Sequence, residues 1–343
     1  MNTTARIKLG IVGCGRAGMI HARNFAFKIR ESEITTLVDP SAENISAAVK
    51  ELGLEDVKVF SNYEKALKES DFDAVVVSSP TVFHRDVCVA SALAGKHILC
   101  EKPLAMNLKE CEEIAAAANK SKVKVQIGFM RRFDRGFMAA KERIDAGEIG
   151  NVVMVRSLTY GPSKPQAWMC DIAKSNGPLA EVNSHDIDTA RWFTSSEFKE
   201  LYAIGGNYRT PSARKEFPDF YDNVSLTAKF ANGCQGIING AQGVGYGYDS
   251  RCEILGTEGI IFVGALDGIA VVTCNKKGMS KPIVPSWRDL FLDAYFAEDR
   301  DFIDCIIEDR QPKVNVHDGM MAVKVVNAGN MSIRSGLPVK LNK

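Results

Sequence analysis

No stretch of this sequence approaches the run of about 18 apolar residues that a membrane-crossing helix needs, so no membrane span is expected. Charge of one sign is not in excess either: 43 lysines and arginines face 42 aspartates and glutamates, and the net charge of +1 gives no basis for binding nucleic acid or an anionic membrane. There is no internal repeat and no low-complexity tract. The five histidines show no metal-ligand spacing and the nine cysteines include no CxxC pair, so no metal site is expected. The cysteines are odd in number and scattered. Cys14, Cys88, Cys100, Cys252 and Cys274 fall in or beside expected strands and helices, as buried reduced thiols of a cytoplasmic protein do. The first apolar stretch is short and lacks a small-residue cleavage site, so it is not expected to be a signal peptide. What remains is an ordinary soluble composition, 45% hydrophobic and 25% charged, in a chain of 343 residues, long enough for two domains.

The stretch Gly13-Cys14-Gly15-Arg16-Ala17-Gly18 organises the chain. An apolar run over 7–12 precedes it, a helix is expected over 16–29, and a second apolar run over 34–38 ends in Asp39. Strand, glycine turn, helix, strand and acid together form the dinucleotide-binding fingerprint. The first glycine permits the tight turn, the second lets backbone approach a pyrophosphate, and the third lets helix and strand pack closely. The helix N-terminus offers N–H groups and partial positive charge to phosphates. Asp39 stands where a carboxylate accepts both ribose hydroxyls and repels a 2′-phosphate. Pro40 and Ser41 supply no arginine to receive one, so NAD is expected rather than NADP.

Helices and strands then alternate. Helices are expected over 41–52 (stopped by Gly53), 63–68, 85–94 (closed by Gly95) and 107–120, the last with Asn107 and Glu110 as a capping box. Strands are expected over 57–60, 74–78, 97–100 and 123–128. This alternation implies a doubly wound parallel Rossmann sheet in an α/β domain spanning 1–127. Beyond it the pattern changes. A helix over 137–146 is followed by strands over 152–160, 201–207, 224–230, 235–242, 250–255, 259–263 and 269–273, with helices over 292–307 and 319–335. The short turn Ala231-Asn232-Gly233-Cys234 reads as a hairpin. Residues 128–343 are therefore expected to form an α+β domain on a large, mostly antiparallel open sheet. The stretch 161–177 has little periodicity and reads as a functional loop, with Trp168 and Asp171 as candidate substrate contacts. Tyr160, just before it, is a third.

Ligands of such sheets bind at the carboxyl ends of the strands. Ser79, Pro80, Thr81 and His84 follow the fourth strand and are placed to border the nicotinamide, or simply to cap a helix. Glu101-Lys102-Pro103 follows the fifth; a lysine there can polarise a carbonyl or share a hydroxyl proton. Arg131 and Arg132 follow the sixth and could hold cofactor or substrate, or be solvated charges. Farther on, Glu181-Val182-Asn183-Ser184-His185-Asp186-Ile187-Asp188, if helical, puts Glu181 and His185 on one face as an acid/base pair.

Taken together, GCGRAG, VDP, SSPTVFH, CEKPLA, GFMRRFD and EVNSHDIDTARW resemble the glucose-fructose oxidoreductase / inositol dehydrogenase family over essentially the whole chain. The resemblance implies a nicotinamide-binding domain followed by an oligomerisation sheet, Lys102 as the lysine of its EKP motif, and His185 as its catalytic histidine. Glu181 replaces the aspartate usual four residues before that histidine, a reach longer by about 1.5 Å, and it joins them as a candidate catalytic group. Asn183 stands near the sugar in such enzymes. The activity expected is NAD-dependent oxidation of a secondary ring alcohol of a sugar, glycoside or cyclitol, and the glutamate points away from myo-inositol. Relatives that cleave glycosides by transient oxidation, and cofactor-sensing regulators, are the alternatives. A homo-oligomer is expected, most simply a tetramer formed through the uncovered face of the second sheet.

Overall fold

The structure is a computed structural model that describes residues 6–264, 266 and 271–341. Its contacts form two compact units, Met1–Met130 with Asp293–Met320, and Arg131–Leu292 with Met321–Lys343. Chain order alone placed one cut at 127/128; the contacts instead group 293–320 with the N-terminal unit.

The first unit holds six parallel strands: β1 (Ile7–Val12), β2 (Ser32–Val38), β3 (Lys58–Phe60), β4 (Ala74–Val77), β5 (His97–Cys100) and β6 (Val125–Ile127), in the order β3-β2-β1-β4-β5-β6. β4 is buried at every residue, as a parallel strand covered on both faces must be. Helix Ala42–Leu52 starts where Ser41 accepts the Asn44 N–H and stops at left-handed Gly53. Asn107 accepts the Glu110 N–H, while the Glu110 carboxylate takes the Met106 N–H and the Asn107 amide. On one side of the sheet, Leu9, Ile11, Phe25, Leu37 and Leu99 pack with Phe302 and Ile303 of helix Leu292–Ile307. That apolar contact is what returns 293–320 to this unit.

The second unit is built on β7 (Val152–Gly161), β8 (Phe198–Gly206), β9 (Asn223–Phe230), β10 (Gln235–Gln242), β11 (Asp249–Gly256) and β12 (Ile260–Val263). A separate hairpin follows, β13 (Thr273–Asn275) with β14 (Gly278–Ser280), and then β15 (Val339–Lys340). The large sheet runs β12-β11-β7-β10-β9-β8-β15 and is antiparallel except where β10 lies parallel to β7. Of the strand expected over 269–273, residues 269 and 270 lie outside the described residues, and Thr273 opens β13. Helix Ser184–Thr194 packs on β7.

The outward face of this sheet is mixed in character. Alternation with period two sends Ser225, Thr227 and Lys229 outward from β9 while Val224, Leu226 and Phe230 are buried. One outward row crosses six of the seven strands: Tyr202, Thr227, Ile237, Arg156, Glu253 and Phe262. The stretch 161–177 is not an irregular loop. It contains the helical turns Ala167–Cys170 and Ile172–Ser175, the second capped by Asp171, which accepts the Ala173 N–H.

Candidate active site

In the first unit the glycine turn has the properties its spacing implied. Gly13 has φ +99°, and a Cβ there would lie 2.7 Å from the backbone of Ser78 and Ser79. On Gly18 a Cβ would lie 1.9 Å from the Gly13 carbonyl oxygen. At Gly15 it would meet nothing within 4 Å, so the backbone there faces open space. That is the cradle a pyrophosphate fills at the start of helix Gly18–Phe27, where the helix dipole favours negative charge. Asp39, buried at the end of β2, accepts the Cys14 N–H through Oδ2 and the Ser41 N–H through Oδ1, both at 2.8 Å. Its carboxylate is thereby fixed beside the turn, where an adenosine ribose would meet it. The donor set fits a dinucleotide. Burial, then the charge of Asp39, pushes the Cys14 thiol up to about 12, so this cysteine is packing rather than a nucleophile.

Two turns at the strand ends lie beside each other. The His84 ring stands between the Pro103 carbonyl, 2.8 Å from Nδ1, and the Ser79 carbonyl, 2.7 Å from Nε2. It is buried, and burial pulls its pKa below the ordinary value. His84 thus joins the turn carrying Ser79, Pro80 and Thr81 to the turn carrying Lys102, and does not itself face a ligand. Ser79 Oγ is buried with no protein partner among the described residues, which leaves it available to a bound group. Lys102 is half-buried, and the bond to Pro103 is cis. Glu101 accepts the Lys102 N–H at 3.0 Å.

In the second unit Asp186, fully buried, is the centre of a polar network. It accepts from Arg131 Nη1 (2.8 Å), Ser157 Oγ (2.5 Å), Thr159 Oγ1 (2.7 Å) and Asn183 Nδ2 (2.8 Å). Arg131, 1% exposed, also donates to Thr159 and lies over the rings of Phe137 and Phe291. Its charge is spent inside this unit on Asp186. Burial opposes that charge, yet Asp186 overrides it and raises the guanidinium pKa. Arg132 forms a two-pronged bond with Asp188 at 2.8 and 2.7 Å. These pairs pin helix Ser184–Thr194, on which His185 directly precedes Asp186. Asn183, fully buried, also donates to the Asn239 carbonyl at 3.0 Å, so it braces the helix start.

Glu181 and His185 do not share one helix. The turn Gly177–Glu181 ends at Glu181, and the next helix begins at Ser184 with Asn183 as its N-cap. Pro178 opens the first turn, and the bonds of Asn183 to Asp186 and Asn239 hold the break. Tyr160, next to last in β7, stands opposite Asp249; burial, then Asp249, raises its phenol pKa. Trp168 is half-buried and donates its indole N–H to Gln166, while Asp171 pairs with Lys174.

Residues 7–129 match the model of an oxidoreductase family with an NAD-binding Rossmann fold, GFO/IDH/MocA, and residues 137–262 match the GFO/IDH/MocA C-terminal domain. The chain belongs to the GFO/IDH/MocA family. Among its relatives, scyllo-inositol 2-dehydrogenase (NAD(+)) of Bacillus subtilis (strain 168) is 32% identical over 98% of this chain and 97% of its own. Myo-inositol 2-dehydrogenase of Thermotoga maritima is 29% identical over 98% and 99%. A crystal structure of scyllo-inositol dehydrogenase from Lactobacillus casei with bound NAD(H) and scyllo-inositol superimposes with a TM-score of 0.91, at 29% identity, over 98% of this chain and 99% of that one.

Within this family member, sequence reasoning missed the groups behind Glu101. His21, on helix Gly18–Phe27, and Asp299, on helix Leu292–Ile307, are both fully buried. Their one local signal is that His21 and Asn24 sit three apart among Met19, Ile20, Ala22 and Phe25 on a buried helix. Ser157 and Thr159, the β7 partners of Asp186, were equally silent. They read as the ordinary polar members of a strand.

Proposed function

We propose that this protein is an NAD-dependent dehydrogenase that oxidises a secondary ring alcohol of a cyclitol or a closely related ring polyol. The observation that carries the reading is the end-to-end match to inositol dehydrogenases in a chain that keeps both Lys102 and His185. Gly13, Cys14, Gly15, Arg16, Ala17 and Gly18 would cradle the pyrophosphate, Asp39 the adenosine ribose, and Ser79 the nicotinamide side. Bound NAD supplies the hydride acceptor. Lys102 holds and polarises the alcohol oxygen, and His185 takes its proton as general base. Glu181 contacts a neighbouring hydroxyl or orients the histidine. Tyr160 and Trp168 offer flat apolar surface to the C–H face of the ring. The finer reading is a cytoplasmic homotetramer assembled through the outer face of the second sheet. Eight cysteines buried as free thiols suit a reducing compartment, although Cys274 is exposed rather than buried.

The test is a panel of scyllo-inositol, myo-inositol, other cyclic polyols and glycosides with NAD, followed at the nicotinamide absorbance band. Steady NADH release with a cyclitol is expected. Glycoside cleavage without NADH accumulation, or no turnover across the panel, would replace the reading with a hydrolase or a sensor.

A further inference from the structure

We propose that His21 is a positioning residue for the Glu101–Lys102 turn: held between Asp299 and Glu101, it is a buried imidazolium that fixes the carboxylate gripping the Lys102 backbone. The geometry is a continuous chain inside one unit. Asn24 Nδ2 donates to Asp299 Oδ2 at 2.7 Å, and Asp299 Oδ1 stands 2.6 Å from His21 Nδ1. His21 Nε2 stands 3.2 Å from Glu101 Oε1, and Glu101 Oε2 accepts the Lys102 N–H at 3.0 Å. Both ring nitrogens face carboxylate oxygens, which only accept. A neutral imidazole would donate through one nitrogen and set the lone pair of the other against a carboxylate, which the doubly protonated ring avoids; the acceptors about His84 are uncharged carbonyls and exert no such pull. The Tyr295 ring packs edge-on at 5.5 Å and closes the site with an apolar wall.

The charged neighbours support that state. Burial opposes the cation, but Asp299 and Glu101 outweigh it and raise His21 well above its ordinary value of 6.5. Glu298 also faces the cluster. Burial raises its pKa well above the usual carboxylate range, which favours its uncharged form. Lys102 lies beyond Glu101, and Asp301 beyond Glu298. Without the imidazolium, Glu101 and Asp299 become two buried carboxylates facing a vacated space, and Glu101 loses the contact that sets its orientation. The Lys102 turn then loosens, and a misplacement of about 1 Å at a reacting group can cost up to about 100-fold in rate.

This inference rests on the assignment of Lys102 to the alcohol proton, and the experiment separates the two. His21→Gln, Asp299→Asn and Lys102→Met are made in the full-length protein. Nitrogen-15 NMR of labelled histidine in the apo protein should show a doubly protonated ring at pH 8 in the parent that is absent in His21→Gln. His21→Gln should lose about 10- to 100-fold in kcat with NAD affinity, read by protein fluorescence, within about twofold of the parent. Asp299→Asn should show the same kcat-only loss, and it carries the test if His21→Gln does not fold. Because the folded-state pKa of His21 is raised, its contribution to stability is fully present below 6.5 and is lost as pH rises through the folded value. Urea midpoints should therefore fall with pH above 6.5 in the parent and more gently in His21→Gln. A parent with every histidine neutral at pH 8, or near-parental kcat in His21→Gln beside an inactive Lys102→Met, overturns the inference. Full activity in Lys102→Met overturns the assignment beneath it, and the inference with it.

Discussion

Asp39 is held by three groups of its own unit before any ligand arrives: the Cys14 and Ser41 amides and the Asn44 side chain. The carboxylate is therefore a fixed negative charge, and its effect on a 2′-phosphate is electrostatic rather than steric. Two unit charges about 4 Å apart repel by about 4 kcal/mol at intermediate dielectric, less after screening. NADP should consequently bind at least about 10-fold more weakly than NAD, which corresponds to about 1.4 kcal/mol. Asp39→Asn, which keeps one oxygen acceptor and removes the charge, should narrow that gap. Equal binding of the two nucleotides by the parent protein, measured by fluorescence titration, would rule the argument out.

The helix Ser184–Thr194 illustrates how one element is aimed by its neighbours. Asp186 and Asp188 tie it to Arg131 and Arg132, and Asn183 reaches over β10 to the Asn239 carbonyl. Buried charge pairs are dear to break: removing one partner typically costs about 3–5 kcal/mol. The close passage of Asn183 over β10 requires Gly240, where a Cβ would lie 1.8 Å from Asn183 Oδ1. Because Asn183 is itself bonded to Asp186, it has no free direction to move. Gly240→Ala should destabilise the protein by about 1–3 kcal/mol through overpacking. In the Asn183→Ala background the same change should cost much less, since the clashing atoms are gone. Urea unfolding of the four proteins closes that cycle, and additive effects would show that the contact is not the cause.

Across the molecule, the outward face of the second sheet is neither polar nor uniformly apolar. Ile204 is 59% exposed and Phe262 68%, interspersed with the Arg156–Glu253 pair. A surface with large exposed apolar groups set among charges resembles the recognition faces of oligomers more than the surface of a monomer. On the proposed tetramer, the mass in dilute buffer should be four times the 37.5 kDa chain. Phe262→Asp should shift it toward smaller species, as read by light scattering after gel filtration. A parent protein of single-chain mass at micromolar concentration would contradict the assembly.

The residues near one another in sequence determined a great deal here. Gly13, Gly15, Gly18 and Asp39 act through backbone conformation and short spacing, so strand, turn, helix and acid were readable directly. The β-strands His97–Cys100 and Gln235–Gln242 and the helix Leu292–Ile307 were likewise legible from their apolar pattern, because hydrophobic period is a local property. Tertiary structure alone decided the rest. Nothing local pairs His21 with Asp299, 278 positions away, or gathers Ser157, Thr159 and Arg131 around Asp186. The break at Val182–Asn183, which separates Glu181 from the helix of His185, follows from a bond to Asn239 on another strand. Buried polar groups choose partners to escape desolvation, and which partners are within reach is set by the packing of distant elements. The sequence names the groups that must be satisfied, and the fold decides with whom.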